Sequence, residues 1–383
     1  MLKATIVSQP YVHKCWKMKD VVLINNRSAA TGIGNYSYNL YTHLKTMSKR
    51  NIDFLTLNSP AEDSYGPALR IFSQKMKRIM DHFRFVRNIP DGYNVYHVLS
   101  PNLGMLLSKH RPSVVTVFDI AALIPSVSKD IVTQSYGLDL PILLAVQINM
   151  RFLRNADRIL CMSQNTKNDL TKVLGLNAKR IVVGYPGIDR TVFCQRDKRK
   201  ARHDLNLPLN RKVILHVGVD EPRKNIRTLL RAFHLLKRKI PDALLIRIGG
   251  MRESTRRLIL ELGLKDSFIH FRKVDSVAFF YNAADLFVFP SYYEGFGYPV
   301  VEAMSSGCPV IAGDSSSIPE VIGKAGILFP PSDVATLYEN MCQVLTDSNW
   351  RLQMAKEGIE QSLKFDWKPC AQTTLEVYES LYS

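Results

Sequence analysis

Short apolar runs recur along this chain, most of them separated by segments with helical periodicity. In the first half they lie at 21–25, 52–57, 95–99, 114–118, 159–162 and 181–185. In the second half they lie at 213–217, 244–248, 268–271, 286–289, 310–312 and 327–329. Such continuous runs suit strands buried on both faces, and their alternation with helices predicts parallel sheets in an α/β protein. Two series predict two Rossmann-like domains, with the polar, basic stretch 191–211 as the linker region. A strand beginning near Met18 opens the first series. Residues 1–17 read as an extra strand or an extension. The pattern from 350 to 383 is helical, and no short-period repeat or low-complexity tract interrupts the chain.

The segment 291–311 reads Ser-Tyr-Tyr-Glu-Gly-Phe-Gly-Tyr-Pro-Val-Val-Glu-Ala-Met-Ser-Ser-Gly-Cys-Pro-Val-Ile. Glu294 and Glu302 stand eight positions apart, with a Gly-Phe-Gly turn between them and Pro299 expected at the first helical position. The preceding run 285–290 reads as a buried strand. The order strand, glycine turn, helix offers free backbone N–H groups and a helix N-terminus to an anion. Glu294 is expected in the turn and Glu302 in the first helical turn. A phosphate site flanked by two hydroxyl-binding carboxylates suits a nucleotide sugar. The plainer alternative is an ordinary βα unit with charged surface positions.

This segment resembles the E-x7-E signature of retaining glycosyltransferases of family 4, which have the GT-B fold of two Rossmann-like domains facing a central cleft. The resemblance continues through Asp314-Ser-Ser-Ser-Ile-Pro319-Glu320 and Ala325-Gly326, and upstream through His216-Val-Gly218-Val219-Asp220-Glu221-Pro222-Arg223-Lys224-Asn225. It is strong over roughly 212–331 and looser before that. It implies an N-terminal acceptor-side domain over 1–190, a nucleotide-sugar-binding domain over 191–367, and a final helix, 368–383, that crosses back to the first domain. It implies that Glu294 contacts the donor sugar, that Glu302 holds the ribose, and that the amides of Phe296, Gly297 and Tyr298 meet the phosphate. Lys224, with Arg223 beside it, matches the diphosphate-binding position, and Gly218 the donor-side glycine. Thr31-Gly32-Ile-Gly34 follows the first strand, opens a helix and resembles the family's Gly-x-Gly loop, which implies a backbone approach of Gly32 and Gly34 to the donor phosphates and the acceptor. As a dinucleotide fingerprint it is incomplete, because Ser37 stands at the third glycine position; the alternative is a tight turn needing positive φ.

Two departures matter. Many relatives carry arginine where this chain has Val219, and histidine where it has Phe118. Asp119, which follows, is expected to contact the acceptor or to cap loop backbone. Ser163 or Asn165 is expected to cap a helix, and Asn225 another. Cations before Asn225 oppose the helix dipole, which makes sense if an anion sits there. No D-x-D pair and no compact His/Cys/carboxylate set offers a metal site, so charge on a leaving diphosphate falls to Lys224, Arg223 and backbone dipoles. No cofactor is expected, the nucleotide sugar being a substrate.

Charge changes the picture further. Residues 1–190 hold 25 Lys and Arg against 12 Asp and Glu, an excess of +13, whereas the remainder holds 26 against 22. A basic first half favours a negatively charged partner. Zinc spacing, a basic helix-turn-helix and RNP-like motifs are all missing, which excludes nucleic acid. An anionic membrane surface, with a glycan or polyprenyl-linked acceptor, remains against plain solvated charge. The amphipathic stretch 69–86, with Arg70, Lys75, Lys77, Arg78 and Arg84 off its apolar face, reads as a core-facing helix or as one lying at such a surface. No apolar run reaches the ~18 residues of a membrane span. The first residues carry no signal-peptide core, and six scattered cysteines read as reduced thiols, so a cytoplasmic location, peripheral on the inner face of the membrane, is expected. The resulting expectation is a metal-independent retaining glycosyltransferase, with a mannosyl donor as a family-level guess. An epimerase or phosphorylase of the same fold, or a non-catalytic binding subunit, are the alternatives.

Overall fold

The computed structural model describes residues 5–6, 19–27, 31–56, 85–124 and 147–382. The stretch 69–84, and most of 1–17, lie outside the described residues.

The first sheet has seven strands in the order β1-β3-β2-β4-β5-β6-β7. These are β1 (Thr5–Ile6), β2 (Lys19–Asn25), β3 (Ile52–Thr56), β4 (Tyr93–Val98), β5 (Ser113–Val117), β6 (Arg158–Cys161) and β7 (Ile181–Val183). All pair in parallel except β1, which lies antiparallel on the edge against β3. The second sheet is parallel throughout, in the order β10-β9-β8-β11-β12-β13. It comprises β8 (Val213–Val217), β9 (Leu244–Ile248), β10 (Phe268–Phe271), β11 (Leu286–Phe289), β12 (Val310–Gly313) and β13 (Ile327–Phe329). The strands are rich in Val, Ile, Leu and Phe, and the residues of β5, β9, β11 and β12 are buried without exception. Both faces are covered, so the apolar runs lack alternation.

The strand order reverses between β8 and β11, which pair directly. In an open parallel sheet the loops leaving such neighbours diverge and open a crevice at the strands' carboxyl ends. The β8 loop carries Lys224 and the β11 loop carries Glu294.

The stretch 191–211, expected as a linker, is instead built into the second sheet's layer. It carries a helix, Lys198–Asp204, capped by Asp197. From that helix the buried Arg202 reaches Asp285, just before β11, at 2.7 Å. Asp285 also accepts from the Val213 amide at 2.8 Å, so one buried carboxylate joins helix, β8 and β11.

The last helix, Trp367–Glu379, packs on the Gly32–Met47 helix after β2. Tyr36 and Trp367 stand 5.5 Å apart, ring to ring, and the Tyr378 hydroxyl lies 2.6 Å from His97 Nδ1 in β4. Gly187 permits the approach, since a Cβ there would collide with the Trp367 amide. Among the described residues no helix is long and apolar enough to cross a membrane.

Candidate active site

The turn after β11 leads through Gly297, at φ 104, into the helix Tyr298–Ser305. Two of its glycines are required, Gly295 by space and Gly297 by its positive φ. A Cβ on Gly295 would overlap the Phe118 carbonyl, across from the first sheet, and one on Gly297 would lie 2.7 Å from Ile318. Among the described residues the amides of Phe296, Gly297 and Tyr298 find no backbone acceptor. They are the orphan donors of a helix start. Pro299 sits in the first turn, where its missing N–H costs nothing.

Glu294 is 6% exposed. Its Oε1 accepts from Lys224 Nζ at 2.7 Å and its Oε2 from Arg223 Nη1 at 3.0 Å. Arg223 is held in turn by Glu221, 2.7 Å from its Nε. Glu294 is therefore the anion the two cations share, with Glu221 a second one on Arg223. Burial pushes the Glu294 carboxyl up, but Lys224 and Arg223 outweigh it and the net shift is down. Burial pulls Lys224 below its ordinary value, with Glu294 offsetting part of this. A buried pair of this kind is held by mutual neutralisation, and removing either partner leaves a charge stranded.

Glu302 has the opposite environment. It lies in the second turn of its helix, not the first as expected, because the helix begins only at Tyr298. Burial raises its carboxyl to about 7, and a 2.8 Å hydrogen bond donated by the Tyr281 hydroxyl offsets only part of that. Two carboxylates pushed apart in this way can do different work at one pH.

The β8 loop completes the cleft wall. Gly218, at φ 152, lies over the methylenes of Lys224 and the ring of His216. Behind it the fully buried Arg247 donates to the carbonyls of Gly249 and Gly218 at 2.8 and 3.1 Å. Asn225 does not cap its helix as expected. It sits at φ 53, whereas an N-cap needs extended backbone, and its amide instead donates to the carbonyls of Pro290 and Pro331 at 3.0 and 2.6 Å. It thereby ties the β8 turn to the ends of β11 and β13.

On the first sheet's side, Gly32 and Gly34 lie within the first turn of the Gly32–Met47 helix, which opens there as expected. Neither has positive φ; Thr31 starts the helix by accepting from the Gly34 amide at 3.1 Å. Phe118 packs edge-on against Tyr36 at 5.1 Å. Asp119 accepts from the Ala121 amide at 3.0 Å, the backbone-capping alternative of its two expected roles. Ser163 caps the Gln164–Leu174 helix as expected. Sequence reasoning named Glu221 and Glu320 as motif members without giving them a role, and missed Tyr281 and Arg247, whose partners are distant in sequence. Among the described residues no cluster of His, Cys, Asp and Glu has metal-binding proximity.

Residues 30–192 match the family described as Glycosyltransferase Family 4, and residues 197–361 match Glycosyl transferases group 1. The two matches together take in most of the chain, one on each sheet's half, and both families are glycosyltransferases. It is 31% identical over 242 residues to O-antigen chain mannosyltransferase B of Escherichia coli, covering 60% of this chain and 62% of that protein. It is 31% identical over 245 residues to D-inositol 3-phosphate glycosyltransferase of Corynebacterium kroppenstedtii, covering 59% of this chain and 53% of that protein. The matches thus span less than two thirds of these relatives. In structure it superposes on sucrose-phosphate synthase of Thermosynechococcus elongatus with a TM-score of 0.75 at 22% identity, over 95% of this chain and 99% of that one. Anabaena HepE, solved in complex with UDP and glucose, superposes with a TM-score of 0.69 at 17% identity, over 95% and 100% of the chains. At these identities the likeness is one of fold, and the fold is GT-B.

Proposed function

We propose that this protein is a retaining glycosyltransferase that moves a sugar from a nucleotide donor to a glycan or polyprenyl-linked acceptor without a metal ion. The observation that carries the reading is the buried Lys224–Glu294–Arg223 cluster beside the unpaired amides of residues 296–298. A diphosphate arriving there competes with Glu294 for both cations and finds backbone donors at a helix start. Displaced from them, the Glu294 carboxylate has lone pairs for sugar hydroxyls. Glu302, farther along the same helix, would take the ribose hydroxyls. The presence of UDP and glucose in HepE, and the mannosyltransferase names among the relatives, support a nucleotide-sugar donor.

Front-face substitution suits such a site. The acceptor hydroxyl oxygen bonds to the anomeric carbon on the face from which the phosphate leaves. The C–O bond to phosphate breaks, and a departing phosphate oxygen takes the hydroxyl proton. Lys224 and Arg223 stabilise the charge that develops on the leaving group. No protein nucleophile is required. The basic excess of residues 1–190 supports an acceptor presented at an anionic membrane surface.

The direct test is a transfer assay with a panel of nucleotide sugars and a polyprenyl-linked or glycan acceptor, in EDTA. A product with retained anomeric configuration is expected. Turnover abolished by chelator and restored by Mn²⁺ or Mg²⁺ would contradict the metal-independent mechanism, and isomerised donor with no transfer would favour an epimerase.

A further inference from the structure

The Gln164–Leu174 helix follows β6 of the first sheet, yet its N-terminus is fastened from the second. The hydroxyl of its cap, Ser163, accepts from the Thr166 amide at 3.0 Å. The amides of Gln164 and Asn165 are left as first-turn donors. Both donate to the carboxylate of Glu320, at 2.8 and 2.9 Å. The Tyr185 hydroxyl donates to the same carboxylate at 2.8 Å. Glu320 comes from Ile318–Ile322, the short helix after β12. A carboxylate at a helix N-terminus gains from both the hydrogen bonds and the dipole.

The same helix meets the Glu294 turn one step farther on. The Thr166 hydroxyl lies 3.4 Å from the carbonyls of Gly295 and Phe118, and the Tyr293 hydroxyl donates to Asp169 at 2.7 Å. From the other flank, Ser316 accepts from the Glu294 amide at 2.8 Å and Ser317 donates to the Glu294 carbonyl at 3.0 Å. Five residues, 316–320, therefore hold the Glu294 backbone with two serines and the first domain's helix with a glutamate.

We propose that Glu320 is a positioning residue that couples closure of the two domains to the placement of Glu294. It touches no candidate donor-binding group directly. It fixes where the first domain, which presents the acceptor, stands against the turn that holds the donor sugar. This rests on the donor-site reading above. Glu320→Gln keeps the shape and one acceptor oxygen; Glu320→Ala removes the fastening.

Three readouts test it on the full chain: kcat for transfer, affinity for the free nucleoside diphosphate, and the radius of gyration by small-angle scattering without ligand. A hydrogen bond to a charged group is worth about 10- to 100-fold in an equilibrium, so a kcat loss of that order is expected in Glu320→Ala and a smaller one in Glu320→Gln. Nucleoside diphosphate affinity should stay within about twofold, because its groups lie on the second sheet, while scattering shows a more open molecule. Unchanged kcat, or diphosphate affinity lost in step with kcat, overturns the proposal. If the wild type binds no nucleoside diphosphate, the functional reading fails. The scattering arm then still decides: expansion of Glu320→Ala upholds the coupling of closure, and an unchanged radius sinks it. Glu320→Gln decides alone should Glu320→Ala not fold.

Discussion

Glu302 meets two opposing demands. In the proposed role of ribose ligand it would serve best ionised, because hydroxyls donate more strongly to a carboxylate. Its surroundings favour the acid, with burial lifting it to about 7 and Tyr281 supplying one hydrogen bond in return. Ribose hydroxyls would stabilise the ionised form and lower the value in the complex. Nucleotide binding is then linked to proton release, so affinity should rise with pH through about 7, by at most about tenfold per pH unit. Titration calorimetry of the nucleoside diphosphate between pH 6 and pH 8 measures this. Glu302→Gln should bind more weakly and show no such slope. A wild-type affinity flat across that range would remove Glu302 from the ribose. Glu294 is the converse case: held low by its cations, it stays ionised through neutral pH.

The elements were mostly legible before any coordinates, for a physical reason. Strands buried on both faces leave unbroken apolar runs, and all twelve expected strands correspond to strands of the two sheets. β1, two residues on an edge, lies within the stretch 1–17, for which an extra strand is one of the two readings. What the pattern could not carry was which strands become neighbours. Lys224 and Glu294 are 70 positions apart and meet only because β8 and β11 pair. The glycine turn before Tyr298 was legible because its backbone demands are local. The helix expected to open at Gly32 and Gly34 does open there, while the tight turn needing positive φ does not form. Asn225 misled: a residue type that caps helices also tolerates left-handed backbone, and here the second property is used. Glu320 stood in plain view as part of a motif, but its function lies across the cleft, 156 positions from Gln164.

At the scale of the molecule, two halves are joined at several points. The last helix returns to the first sheet, Glu320 grips the Gln164–Leu174 helix, and Gly295 seats on the Phe118 carbonyl. The first half carries the +13 excess, and each basic residue near an anionic bilayer contributes about 1 kcal/mol, screened over roughly 10 Å at 0.1 M salt. Docking predicts co-sedimentation with anionic liposomes at low salt and release as salt rises. Equal recovery with neutral liposomes would leave that charge merely solvated.

The central claim is that the Lys224–Glu294 cluster is a donor site, and calorimetry with nucleoside diphosphates and their sugars, on wild type and Lys224→Ala, tests it most directly. At least one donor should bind the wild type. Loss of the charge-assisted contact should weaken it by roughly 2–4 kcal/mol, about 30- to 1000-fold, in a variant that still melts cooperatively. A folded Lys224→Ala protein that binds the donor as well as the wild type does would contradict the account.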